Sequence, residues 1–246
     1  MTETLDLLLS HRSDRDFTDQ DLTPQQLDAI VRAAWLAPTS INSQQISLVV
    51  VQDPQHRARI AEIAGGQPWI AKAPVFITVV VDHHKTSRAT AAAGSEHQLH
   101  SSVEGLASAA TDAGIALANL IVAARAQGLG AVPIGGIRRD PGAMVELLGL
   151  PARTFPLVGV SIGHVGKQAV QKPRLPLDSF CHMERYDAEI IDTAIPVYDQ
   201  ELLDYWQSIG RADGQSWSKN TAQLYSKVYF PHTKAACAAQ GFTNEA

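Results

Sequence analysis

Residues 103–127 limit what this chain can become more than any other stretch. "VEGLASAATDAGIALANLIVAARAQ" is continuous helix-forming sequence, built largely from alanine. Side chains this small let a second helix approach closely, because interaxial distance follows side-chain size. A subunit interface and a dense monomer core would both use that property. A membrane span would not. Between Gly105 and Ala124 lie Ser108, Thr111, Asp112 and Asn119, and an aspartate at a bilayer centre costs ~3 kcal/mol. Alanine offsets little of that.

Around this helix, strand-like and helix-like segments alternate. Leu5, Leu8 and Leu9 share one face of a short first helix. "TPQQLDAIVRAAWLAP" carries a complete start signal: Thr23 as N-cap, Pro24 at the first helical position and Gln26 to close a capping box. Leu27, Ile30, Val31 and Ala34 then repeat at helical spacing, and Pro38 stops the run. "ISLVVV" (46–51) and "VFITVVV" (75–81) read as buried strands, with a helix between them opened by Asp53-Pro54 and closed at Gly65-Gly66. Residues 83–102, polar and small, are expected to form a mobile excursion. "AVPIGG" (131–136) reads as a strand end and turn. Asp140-Pro141 opens a short helix ending at Gly149, and "FPLVGVSIG" (155–163) is a third clear strand. Beyond "KPRLP" (172–176) the chain turns helical and aromatic. Three or four strands with helices between them make an α/β or α+β domain. With no internal repeat and no linker-like run, a single domain 1–246 is expected: a core to about 176 and a helical extension over about 190–246.

Charge and cysteine usage exclude whole classes. The net charge of −5 argues against a nucleic-acid binder, which needs a basic face. Cys181 and Cys237 form no C-x-x-C, so neither a disulfide framework nor a zinc site is indicated. "MTETLDLLLS" carries acids and only a short apolar run, unlike a signal peptide. The expectation is a cytoplasmic protein without membrane attachment.

Four constellations could carry chemistry. His11, Arg12, Ser13 and Arg15 crowd an imidazole, two guanidiniums and a hydroxyl into "HRSDR". That is an anion cradle, or a solvated basic loop balanced by Asp14, Asp16 and Asp19. "APTSINSQQ" (37–45) offers hydroxyls and amides, or ordinary turn chemistry. "GLGAVPIGG" (128–136) fails as a dinucleotide fingerprint, and with it a Rossmann-type dehydrogenase. The glycines are wrongly spaced, precede their strand and do not run directly into a helix. Gly135-Gly136 would still let a flat ligand lie against backbone. "QKPRLP" sets Lys172 and Arg174 two apart in an extended segment, as a second anion clamp or an exposed loop. The histidines His83, His84, His97 and His100 lack a spaced carboxylate or cysteine that would complete a metal site. No metal is expected, and no Walker loop, G-x-S-x-G or H-E-x-x-H occurs.

Taken in order, these pieces resemble one family. HRSxR near the N-terminus, P-T-S-x-N-x-Q after the second helix, GGQ at 65–67, the Ala-rich helix running into "GLGAVPIGG", and KPRLP near 172 are similar to the nitroreductase family. The likeness is strongest to its oxygen-insensitive NADPH nitroreductase and flavin reductase branch. The resemblance implies an α+β fold, a mixed β-sheet flanked by helices, with the long central helix at a dimer interface and a helical C-terminal extension. It implies a homodimer with one FMN at each of two sites shared between subunits. His11, Arg12 and Ser13 would hold phosphate and ribityl oxygens, and Lys172 and Arg174 would complete the phosphate clamp. Arg15 would face the N1/C2 side of the ring and Gln67 its polar side. Pro133, Ile134, Gly135 and Gly136 would pass along one ring edge with backbone contacts, while Thr39, Ser40 and Asn42 would come from the partner chain. The implied activity moves two electrons from NADPH or NADH to nitroaromatics, quinones or flavins by a ping-pong route. Chemistry would occur at flavin N5 without a catalytic side chain, and Arg15 would support the reduced flavin. An FMN-binding redox sensor or docking module without efficient turnover is the alternative.

Two departures bear on the donor. The family's arginine for the NADPH 2′-phosphate falls at Ile209 here, which leaves Arg211 as the candidate phosphate contact. The family's aromatic residue before Ile-Gly-Gly is Pro133. Both NADPH and NADH therefore stand as donors.

Overall fold

The chain enters through α1 (Glu3–Leu9) and α2 (Pro24–Trp35) and reaches a sheet at β1 (Ile46–Val51). The computed structural model describes residues 2–243. There follow α3 (Pro54–Ile63), α4 (Pro68–Lys72), β2 (Val75–Asp82), α5 (His83–Ala92), α6 (Val103–Ala126), β3 (Gly130–Ile134), α7 (Pro141–Leu148) and β4 (Thr154–Gly163). The remaining described helices are α8 (Ala188–Ser208), α9 (Trp217–Tyr225) and α10 (Thr233–Ala239). The fold divides into two units, Met1–Ala169 with Phe230–Ala246, and Val170–Tyr229.

In the first unit the strands form one sheet in the order β1-β2-β4-β3. The α+β class holds, but every pairing is antiparallel rather than mixed. Val51 at the end of β1 stands opposite Phe76 near the start of β2. The chain thus re-enters the sheet at the end it left, which reverses the strand.

The apolar run of β2 is explained by cover on both faces. Val75, Ile77 and Val79 point into a core with Ile30 and Ala34 of α2 and Ala113, Ala116, Leu120 and Ala124 of α6. Phe76 points the other way, toward Ile60, Ile70, Ile137 and Met144. Gly159 on β4 makes room for Phe76; a Cβ there would lie 2.1 Å from the ring's Cζ. The apolar run of β1 had suggested a buried strand, yet β1 is an edge strand and most of it is only half-buried.

Helix boundaries follow their caps. Thr23 and Gln26 form the expected capping box, with Gln26 N donating to Thr23 Oγ1 at 3.2 Å and Thr23 N to Gln26 Oε1 at 2.9 Å. Asp53 caps α3, Asp140 caps α7, and α7 ends on left-handed Gly149. The stretch 83–102, expected to be a mobile excursion, is instead α5 followed by a 3-10 turn, Leu99–Ser101. Asp82 caps it by accepting from Lys85 N at 2.9 Å. Burial of His83 and His97 supplies the tertiary hold that composition did not reveal.

Among the described residues, α6 is the one helix long and apolar enough to cross a membrane. Its Ala113, Ala116 and Leu120 sit in the sheet's core, and buried Asp112 accepts from Ser40 N at 3.0 Å and Gln45 Nε2 at 2.8 Å.

The second unit is built on α8 and α9. Asp199 of α8 accepts from Ser218 N at 2.8 Å, and Tyr198 and Trp217 meet edge to face at 6.1 Å. Tyr198 Oη donates to Pro173 O at 3.0 Å.

Candidate functional site

The site grows from the way residues 11–18 run alongside the end of β4. Phe17, fully buried, bridges Val165, Thr18 N donates to His164 O at 2.9 Å, and Gly166 N donates to Asp16 O at 2.9 Å. This carries His11–Arg15 to the start of edge strand β3. At Gly130 a Cβ would lie only 2.9 Å from that of Asp14.

Asp14, 1% exposed, organises the cradle. Its Oδ1 accepts from Ala169 N at 2.9 Å and faces Arg12 Nε at 3.5 Å. The Gln168 amide, with its oxygen turned toward Arg12, accepts from the same Nε at 3.1 Å. Arg125 of α6 fixes the chain just before His11. Its Nη1 donates to Leu7 O at 2.6 Å, and its Nη2 to Ser10 O at 2.8 Å and Ser10 Oγ at 3.0 Å. Burial, and then the charge of Arg12, lower the Arg125 pKa from its ordinary value. Two guanidiniums share this corner around one carboxylate, so positive potential concentrates there.

Helix α4 ties this corner to the far end of β3. Trp69 lies beneath Arg15, whose Cζ is 5.5 Å from the ring centroid, and Lys72 pairs with Asp16 at 3.1 Å. Gln67, at the helix N-cap, donates through Nε2 to Ala64 O at 3.0 Å. It packs so closely on Gly136 that a Cβ there would lie 2.5 Å from Nε2 and 2.8 Å from Ala64 O. Only glycine fits. Pro133 is exposed, as suits a proline on an edge strand, whereas the Ile134 side chain is buried and leaves only its backbone for contact. A 3-10 turn, Gly135–Arg139, follows β3 directly.

The structure thus brings Arg12, Ser13, Arg15, Gln67 and Pro133–Gly136 along one sheet edge. The donor set suits FMN: guanidinium and hydroxyl donors for a phosphate, an amide and open backbone for a polar ring edge. Trp69 Nε1, buried without a hydrogen-bond partner, adds an unused donor beside Arg15.

Thr39, Ser40 and Asn42 are elsewhere. They sit in the loop between α2 and β1, where Ser40–Asn42 forms a 3-10 turn, and β1 is the opposite edge of the sheet. Two strands intervene between β1 and β3, so at the usual strand spacing the edges are roughly 14 Å apart. Ile41 and Asn42 adopt positive φ, and Ile41 is 94% exposed. A cavity of about 690 Å³ opens here, lined in part by Trp35, Pro38, Thr39, Asn42 and Lys85.

Lys172, Arg174 and Arg211 belong to the second unit. Arg174 Nη1 lies 3.4 Å from the carbonyls of Lys172 and Pro173, and Lys172 Nζ lies 5.0 Å from the Trp206 ring. Arg211 also lies over Trp206, at 4.8 Å, and pairs with Asp213 at 3.3 Å.

Sequence reasoning missed Asp14, Trp69, Asp112 and Arg125. Asp14 and Trp69 are neighbours of predicted residues, a weak signal; Arg125 and Asp112 act across the fold and left none.

The nitroreductase family model matches residues 8–164, and the nitroreductase family C-terminal domain matches 172–245. The FMN reductase [NAD(P)H] of Bacillus subtilis is 39% identical, covering all of both chains. The solved structure of B. megaterium NfrA2 superposes with a TM-score of 0.97 at 36% identity, again over the whole of both chains. The NADPH:FMN oxidoreductase from Vibrio harveyi, solved with NAD+, gives 0.89 at 29% identity, over 98% of this chain and 99% of that one. Matches that run through both units, with glycines and cations where the sheet edge needs them, leave one assignment: the chain belongs to the nitroreductase family.

Proposed function

We propose that this protein is an FMN-dependent oxidoreductase that takes two electrons from NAD(P)H and passes them to nitroaromatics, quinones, flavins or similar small acceptors. One observation carries the reading. HRSxR, Gln67 and Gly135-Gly136, remote in sequence, line a single edge strand with the donors that FMN requires. When bound, FMN supplies the two-electron carrier, so no protein nucleophile is needed.

The side chains bind, orient and stabilise charge. Arg12 and Ser13 hold the phosphate, with His11 beside them, and Asp14 keeps the Arg12 guanidinium in place. Arg15, resting on Trp69, sets a fixed positive charge beside the ring position that becomes electron-rich; a preorganised charge costs no reorganisation during reaction. Gln67 retains its carbonyl oxygen and second N–H for the ring's polar edge. Donor and acceptor use one open pocket in turn, which gives parallel double-reciprocal plots.

A homodimer completes the site. Thr39, Ser40 and Asn42 stand at the opposite sheet edge from Arg12 and Gln67, which supports their serving the partner's flavin. Leu5, Leu8, Leu9, Trp35, Leu36 and Ile41 expose apolar surface that a monomer would leave in water.

The purified protein is expected to be yellow, with a flavin band that bleaches under anaerobic NADPH or NADH and returns on adding a quinone. A colourless protein that takes up no added FMN overturns the proposal. FMN uptake without turnover by either donor would leave the sensor alternative.

A further inference from the structure

Three histidines of the 83–102 stretch form a cluster that the flavin site does not use. His83 is fully buried, His97 is buried, and His100 is half-buried and meets solvent. Their rings follow one another, His83 to His97 at 5.3 Å and His97 to His100 at 5.2 Å between centroids. Hydrogen bonds join them in the same order. His97 Nδ1 meets His100 Nδ1 at 3.0 Å, His97 Nε2 meets Thr86 Oγ1 of α5 at 2.9 Å, and His83 Nε2 donates to Gly105 O of α6 at 3.1 Å.

Neutral imidazoles satisfy this chain. The two facing Nδ1 atoms have room for one proton between them, and each neutral ring keeps one donor and one acceptor. A further proton makes a cation away from water, where an unpaired charge is costly. Arg153, just before β4, adds repulsion toward His97 and His100, while Glu96 faces His100 and Asp82 faces His83. The C-terminal segment covers the cluster: Phe242 lies 5.6 Å from the His83 ring, and Arg153 N donates to Gln240 O at 2.8 Å.

The same helix holds the loop ahead of β1. Lys85, between His83 and Thr86, donates through Nζ to Gln44 O at 3.0 Å and to Ile46 O at 2.9 Å. Asp82, the cap of α5, donates through its N–H to Gln45 O at 2.8 Å and accepts from Ser47 Oγ at 2.5 Å. Gln44 N in turn donates to Thr39 Oγ1 at 3.1 Å. A displacement of α5 is therefore passed on to Thr39–Asn42.

We propose that His83, His97 and His100 form an acid-sensitive latch: added protons release α5, Lys85 then frees the 39–46 loop, and FMN is held less tightly in acid. The latch rests on the reading of Thr39–Asn42 as part of the partner's flavin site. Burial and the neighbouring charges hold His97 at a pKa of about 4 in the latched form, against about 6.5 when released. The released form binds the extra proton, so acid favours it, by up to about thirtyfold between pH 7.5 and pH 5.

The test compares the parent protein with His97→Gln, which keeps a hydrogen-bonding side chain but does not titrate, and with Lys85→Gln, which cuts the link to the loop. FMN dissociation constants are measured by fluorescence titration at about pH 7.5 and pH 5. Backbone hydrogen exchange over 39–46 and 83–102, corrected for its intrinsic pH dependence, is followed at both. In acid the parent is expected to lose about threefold to thirtyfold more FMN affinity than His97→Gln, the titration of the phosphate being common to both. Both segments of the parent should exchange faster. His100→Gln, a milder change at the half-buried end, gives the same comparison should His97→Gln fail to fold. Lys85→Gln should keep the acid response over 83–102 and exchange rapidly over 39–46 at either pH. If parent and His97→Gln respond alike, or if exchange rises equally across β2 and β4, there is no latch. A 39–46 segment that stays protected in Lys85→Gln removes the link. If acid opens both segments while FMN affinity tracks that of His97→Gln, the loop does not serve the flavin. A parent protein that takes up no FMN at either pH overturns the flavoprotein reading, and hydrogen exchange still decides the latch.

Discussion

At Arg12 one guanidinium faces a buried carboxylate and is also expected to meet a phosphate. Its five N–H donors outnumber the contacts they make, since Asp14 approaches Nε at 3.5 Å and the Gln168 amide oxygen faces Nε, Nη1 and Nη2. Removing it takes away a phosphate partner and leaves Asp14 buried without its nearest cation. Arg12→Ala is therefore expected to weaken FMN binding by about 2–4 kcal/mol, read by fluorescence titration of the apoprotein. An unchanged dissociation constant would show that Arg12 does not touch the cofactor. Gly136 gives a second residue-level prediction. Gly136→Ala forces Gln67 and the Ala64 carbonyl apart, and overpacking of this kind costs about 1–3 kcal/mol. Flavin affinity should fall along with melting temperature, because Gln67 is displaced. The motif residues were legible because their chemistry is local: four basic or hydroxyl side chains, His11, Arg12, Ser13 and Arg15, within five positions suggest an anion. Asp14 was visible only as a counter-charge, since nothing in sequence says that one of three nearby aspartates is 1% exposed.

Elements were read well where their signals are covalent neighbours. The capping box of α2 and the Asp-Pro starts of α3 and α7 are contacts over three residues, and each appears where expected. Thr23→Ala should cost about 1 kcal/mol, measurable by chemical denaturation, and a null effect would show that the cap is dispensable. Helix α5 was not legible. Its hold comes from a histidine cluster: His83 Nε2 donates to Gly105 O at 3.1 Å, His97 Nε2 meets Thr86 Oγ1 at 2.9 Å, and His97 Nδ1 meets His100 Nδ1 at 3.0 Å. Burial, then the charges of His83, His100 and Arg153, lower the His97 pKa to about 4. In the unfolded chain His97 titrates near 6.5, so between those values the unfolded state binds the extra proton. Stability from this group is complete above about pH 6.5 and is lost as pH falls toward 4, by at most about 3 kcal/mol. Denaturation midpoints across that window should fall for the parent protein and flatten for His97→Gln. Equal slopes would rule out the cluster as the source.

For the whole molecule, the decisive arrangement is the strand order. Placing β1 and β3 at opposite edges separates Thr39–Asn42 from Arg12, Gln67 and Gly136, the separation on which the proposal of a shared dimer site rests. Ile41→Asp puts a charge on a side chain that is 94% exposed. It should leave the monomer fold intact yet shift the protein toward monomer in sedimentation and lower FMN occupancy; an unaltered dimer with full flavin would remove this loop from the interface. By itself the sequence determined the family, the α+β class, the helix caps and the cofactor chemistry, because each depends on residue type and short spacing. Only the tertiary structure decided that the sheet is wholly antiparallel, that β1 is an edge, that 83–102 is helical, and that Asp14 and Arg125 organise the cradle. Those outcomes rest on contacts between residues tens of positions apart, and a local pattern carries no record of which surface will cover it.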